Sequence, residues 1–136
     1  MPDYAEIYYT NRYSIRLSST ETFSFSLETF TDNPFFSRRF AIITAHNPHN
    51  RQLPHQENVK RNASLYSELN SDLTLEAVGC GVDGHCEAGY LLFDISREEA
   101  IALGVRYEQF AIFYCDTKAL MYIACESREV IVSVVR

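Results

Sequence analysis

The sequence predicts an α+β fold: a single mixed, mostly antiparallel sheet of five to seven strands with two main helices packed on it and a C-terminal three-strand meander. Three observations carry that reading. Short segments that are continuously apolar, or alternate apolar with polar, recur along the chain and mark strands. Two longer stretches instead repeat apolar residues every three or four positions, the period of a helix. The end of the chain holds three apolar segments separated only by Asp116-Thr117-Lys118 and Glu126-Ser127-Arg128-Glu129. Connections that short force antiparallel neighbours.

In chain order, Tyr4, Ile7 and Tyr8 fit helical spacing, so residues 4–17 begin as either a short helix or an irregular arm. Residues 18–21, SSTE, read as a loop. Phe23, Phe25 and Leu27 then alternate with Ser24, Ser26 and Glu28, the pattern of a half-buried strand. Thr31-Asp32-Asn33-Pro34 breaks it. Phe40 to Ala45 is apolar apart from Thr44 and reads as an interior strand ending at Asn47-Pro48. From Pro54, placed in a helical first turn, Val59, Ala63, Tyr66 and Leu69 define an apolar helix face that Asn70-Ser71-Asp72 closes. Glu57 and Arg61 stand four apart, in the favourable order for an ion pair. Leu73 to Val78 and Gly89 to Ile95 read as strands flanking a turn rich in glycine. Ser96 and Glu99 form a capping box, Ile95 and Ala100 a hydrophobic staple, and Ala100, Leu103 and Tyr107 the buried face of the second helix. The meander comprises Phe110 to Cys115, Ala119 to Cys125 and Val130 to Val135. No repeat or linker divides residues 1–136, which read as one domain long enough to bury a core.

Hydrophobic residues make up 46% of the chain and charged residues 22%, a globular balance, and nine Tyr with nine Phe favour strands and a bulky core. A net charge of −6 argues against general nucleic-acid binding, which needs concentrated Lys and Arg. A local basic group of Arg38, Arg39, Arg51, Lys60 and Arg61 is the modest exception. Tyrosines between positions 4 and 13 could stack bases, but the acidic balance favours ordinary packing. No apolar run reaches the roughly 20 residues of a membrane span, and the opening MPDYAEIYY has no secretory pattern. The expectation is a cytoplasmic location and four reduced cysteines.

Glycine-rich phosphate loops and nucleophile-elbow motifs are absent from the sequence. His46, His49 and His55 are spaced across a proline-broken loop rather than along one helix face, and Cys80, His85 and Cys86 lack zinc-knuckle spacing. No metal and no cofactor is expected. Cys80 is the one exposed-looking thiol, with His85 as its only potential activator, whereas Cys115 and Cys125 should be buried.

Polar chemistry is densest in AIITAHNPHNRQLPHQENVKRN, residues 41–62. Two readings stand. A strand-end loop leading to a helix N-terminus could bind an anion, with Asn47 and Asn58 orienting it and Arg61 clamping it. Alternatively, Asn47 bonds the turn while Glu57 and Asn58 satisfy the helix's first donors. Glu87 and Gln109 each precede a predicted strand and could meet at one sheet edge. Glu57 or Glu87 could then act as general base. The structural alternative is a buried Glu87–Arg61 ion pair.

Tyr9-Thr10 with Tyr13, ITAHNP at 43–48, Glu57-Asn58 with Arg61, Glu87, EEAIALG at 98–104, and Gln109 ahead of AIFY together resemble the bacterial domain-of-unknown-function family numbered 3293. The resemblance runs over nearly the whole chain. His46 stands where members often carry a large aromatic, and HCEAG replaces a more aromatic setting for the glutamate. The resemblance implies a cytoplasmic bacterial domain, assigns no activity, and points to Asn47, Glu57, Asn58, Arg61, Glu87 and Gln109. Two classes of function follow: a domain binding a small anionic ligand or nucleotide, with hydrolysis open to it, or a non-enzymatic module that meets a protein partner or a second copy of itself.

Overall fold

The computed structural model describes residues 3–136 and forms one eight-stranded sheet, curled into a half-barrel, with three α-helices. The strands are β1 (Arg12–Arg16), β2 (Thr22–Ser26), β3 (Phe40–Ile43), β4 (Thr74–Cys80), β5 (Cys86–Phe93), β6 (Ala111–Cys115), β7 (Ala119–Ala124) and β8 (Val130–Val135). The helices are α1 (Tyr4–Thr10), α2 (His55–Ser67) and α3 (Arg97–Arg106). Across the sheet the order is β2-β1-β4-β5-β3-β6-β7-β8.

The α+β class and the closing meander match expectation, with three differences. Every strand pair is antiparallel, so the sheet is not mixed. The strand count exceeds five to seven because β1 turns only Tyr13 and Ile15 inward, too few for the alternation to stand out. There are three helices rather than two main ones: α1 forms, capped by Asp3, whose carboxylate accepts from the Glu6 N–H.

Alternate residues of the central strands feed two cores. Ala41 and Ile43 of β3, Ile112 and Tyr114 of β6, and Met121 and Ile123 of β7 face α2 and α3. Phe40, Ile42, Phe113, Leu120 and Tyr122 face the opposite, concave side with Phe25 and Phe36. Burial on both faces explains why β3 reads as continuously apolar. The concave core is a lattice of rings, with Phe25–Phe113 centroids 5.5 Å apart and Phe40–Phe113 6.0 Å apart. Each fully buried ring contributes roughly 2–3 kcal/mol of burial. α3 begins with the expected Ser96–Glu99 capping box. It also lies unusually close to the sheet: a Cβ on Gly104 would stand 2.5 Å from Cys125 Sγ.

α2 departs from its predicted face. Val59 and Tyr66 are 50% and 43% exposed, and the side chains it buries are Asn58, Asn62 and Leu65. Pro54 is the N-cap, one residue before the helix. The cysteines also differ from expectation. Cys80 and Cys86 face each other in the β4–β5 register and form a disulfide, so the four do not all stay reduced. Hairpin register, invisible in the spacing of the two residues, brings them together. Cys115 and Cys125 are buried free thiols, and burial pushes Cys125 up to about 11. Among the described residues, no helix is long and apolar enough to cross a membrane.

Candidate functional site

Beyond β3 the chain makes a tight loop with Asn47, His49 and Asn50 all at positive φ. Asparagine visits this left-handed region more readily than most residues, because its short amide can bond nearby backbone. Here the amide is fully used. Asn47 Oδ1 accepts from the Leu53 N–H at 3.0 Å and from Asn58 Nδ2 at 2.9 Å, while Asn58 Oδ1 accepts from the Asn47 N–H at 2.9 Å. Asn62, one turn on, accepts from the Ala45 N–H and donates to the Ala88 carbonyl. Arg61 donates to the carbonyls of Ala45 and Tyr107, both at 2.6 Å, and lies 3.5 Å from Glu108. Gln109 donates to the carbonyls of His46 and Tyr107. One face of α2 thus satisfies the backbone of a loop that has no strand partner, which is why that face is polar. No buried side-chain nitrogen or oxygen among the described residues lacks a partner.

Behind this loop, the concave side of the sheet opens into a cavity of about 370 Å³. Ile42, Ala77, Gly79 and Gly89 lie along the sheet, and Tyr4, Ile7 and Tyr8 of α1 form a facing wall with Tyr13, Phe110 and Tyr122. Tyr8 stacks on Tyr122 at 4.5 Å, and Tyr4 meets Phe110 at 4.6 Å. Polar atoms are few. Asn11 Nδ2 donates to the Tyr122 hydroxyl at 3.1 Å; Thr44, Asn50, Asp83, His85, Glu87 and Gln109 supply the remaining polar side chains. Gly89 admits the loop: a Cβ there would stand 2.5 Å from the Ile43 carbonyl oxygen.

Glu87 joins the two regions. It points from β5 to the concave side, where Oε2 accepts from Asn47 Nδ2 at 3.1 Å and sits 3.2 Å from His85 Nε2. Its charge reaches the rings. Tyr8 and Tyr13 are both raised, first by burial, then by neighbouring phenols and then by Glu87. Burial pushes Tyr122 up to about 12 and lowers His46, with Glu87 opposing the His46 shift.

The structure therefore gathers Asn47, Asn58, Arg61 and Gln109 around the loop and places Glu87 and Gln109 on the cavity. Glu57 stands exposed on the first turn of α2, outside the cavity lining, and makes no ion pair with Arg61 among the described residues. Glu87 and Arg61 do not pair either, since each is held by other groups. Sequence reasoning missed Asn11, Asn62 and Tyr122, and weighed His85 only as a ligand or thiol activator. The run of tyrosines from Tyr4 to Tyr13 was the available signal. Among the described residues, no three His, Cys, Asp or Glu side chains are grouped so as to hold a metal. Comparison with curated proteins and with solved structures finds no match. A family model described as "Protein of unknown function (DUF3293)" matches residues 43–112, the segment that carries the Asn47 loop, α2, Glu87 and Gln109. That match spans just over half of the chain, which therefore belongs to the DUF3293 family.

Proposed function

We propose that this chain is a small-ligand-binding domain whose ligand occupies the tyrosine-walled cavity and is anchored on Glu87. The observation that carries this reading is a carboxylate oriented by Asn47 and His85 within a largely aromatic cavity of about 370 Å³. That volume falls within the range of small-molecule sites, where a few placed polar groups fix orientation. The geometry favours binding over turnover, and of the two acids read from the sequence as general bases, Glu57 and Glu87, only Glu87 lines the cavity. The geometry also shifts the ligand away from the anion expected from the sequence. Arg61, the proposed clamp, is held by the Ala45 and Tyr107 carbonyls and by Glu108, and does not line the cavity. A thermal-shift screen of small molecules tests the reading, since saturating ligand at about 100 times its Kd adds roughly 2.7 kcal/mol. Hits should lose most of their shift in Glu87→Gln and in Tyr122→Leu. A screen whose hits are all indifferent to both changes overturns the proposal.

The alternative, an interaction module, finds support at β8. This six-residue edge strand carries no charge from Val130 to Val135, and both of those valines are exposed. Unguarded apolar edges invite pairing. A Val135→Lys variant would dissociate a dimer joined there, and a wild-type chain that is monomeric by light scattering at high concentration excludes one.

A further inference from the structure

We infer that the ligand of this cavity is an organic cation, of amidinium, guanidinium or substituted-ammonium type. The inference rests on the proposed ligand site and adds the ligand's charge. Glu87 and Asp83 both line the cavity, whereas among the described residues none of those lining it is Lys or Arg. The only basic side chain there, His85, already stands against Glu87. An anion entering would lose water beside two carboxylates and meet no guanidinium or ammonium among the described residues. A neutral apolar ligand would bury Glu87 without offering it a donor.

The aromatic walls point the same way. Tyr4, Tyr8, Tyr13, Phe110 and Tyr122 present five rings to one space, and ring faces carry negative potential that attracts cations. Rings plus one oriented carboxylate make a receptor for a cation whose N–H groups meet the acid while its body lies on the rings. A planar amidinium or guanidinium can donate a charge-assisted N–H bond to one carboxylate oxygen while its flat body lies against a ring. At Glu87 the contacts from Asn47 and His85 both fall on Oε2, so Oε1 is the oxygen open to a ligand N–H. The field extends beyond the acid itself, because Glu87 contributes to raising the Tyr8 and Tyr13 phenols that face the same space.

Three isosteric probes test the inference: benzamidine, benzamide and benzoate share size and ring and differ in charge. Titrated into isotope-labelled full-length protein and followed by NMR, benzamidine should move the resonances of Gly79, Glu87 and Gly89. It should bind at least about tenfold more tightly than benzamide, the ratio expected for one charge-assisted contact. Benzoate should leave those resonances unmoved. Glu87→Gln should shrink the preference for benzamidine to about twofold, because the amidinium then faces an uncharged acceptor and the ion pair is lost. If that variant fails to fold, Tyr8→Leu, on the α1 wall, supplies the second arm: it should weaken benzamidine while sparing benzamide. Benzamide or benzoate binding in the cavity as tightly as benzamidine overturns the cationic assignment and leaves the ligand site standing. Cavity resonances that move with none of the three overturn both.

Discussion

The loop after β3 and the cavity behind it hold similar numbers of polar side chains and use them in opposite ways. Around the loop, Asn58, Arg61, Asn62 and Gln109 give side-chain donors to backbone carbonyls or to Asn47, and most of these residues are buried. In the cavity, Glu87 and His85 stand in a half-open space surrounded by rings. A buried amide that completes a backbone network is costly to remove and has nothing left to offer a ligand. A carboxylate on a cavity wall costs little to neutralise and still has acceptor capacity. Asn47 belongs to both regions, since the amide that closes the loop also aims Glu87.

Substitutions should separate the regions by their effect on stability. The largest loss is expected at Asn47, which combines φ +47 with hydrogen bonds to Leu53, Asn58 and Glu87. Asn47→Ala should lower unfolding free energy by about 3 kcal/mol in urea melts, from unsatisfied buried partners plus left-handed strain. Asn47→Gly, free of that strain, should recover roughly 1 kcal/mol. A loss below about 1 kcal/mol for Asn47→Ala would mean the loop is held by something other than this network.

The disulfide should rank second, and it belongs to the cavity region. Cys80–Cys86 staples the hairpin that carries Gly79, Asp83, His85 and Glu87. Closing so short a loop is worth about 2 kcal/mol by chain-entropy reasoning, so the Cys80→Ser, Cys86→Ser double variant should lose that much. Thiol titration checks the pairing directly. The folded protein should react at no site, the unfolded unreduced protein at Cys115 and Cys125 only. Reaction of four thiols without reductant would rule the bond out.

These contrasts also mark what was legible in the sequence. Local chemistry was: the Ser96–Glu99 capping box, the interior strand at Phe40 and the short-looped meander all formed as read. α2 misled because its periodicity was scored on apolar residues. The surface it covers is an unpaired loop backbone, so its buried face is built of amides and Val59 is left in water. The cavity was largely hidden because Tyr8, Gly79, Glu87 and Tyr122 meet only through strand order, with β4 and β5 inserted between β1 and β3. The Cys80–Cys86 pairing depends on the same register.

Glu87→Gln should fall well below the first two, at under about 1 kcal/mol, because its side chain is 29% exposed and Gln can still accept from Asn47. A loss as large as that at Asn47 would place Glu87 in the loop network and erase the distinction between the regions.

The smallest effect concerns His46, which sits at the join and is half buried. Burial lowers its pKa, while Glu87 raises it and His55 and His85 lower it further. A folded state that prefers the neutral ring binds fewer protons than the unfolded chain as pH drops through the ordinary histidine range near 6.5. Its contribution is therefore present above that range and is lost as pH falls towards the lower folded value. His46→Phe should flatten this part of the slope in urea midpoints measured from about pH 7.5 to about pH 5. An unchanged slope would assign it to the other histidines. A slope of reversed sign would mean that Glu87 outweighs burial at His46, and that the acid's influence extends from the cavity into the loop.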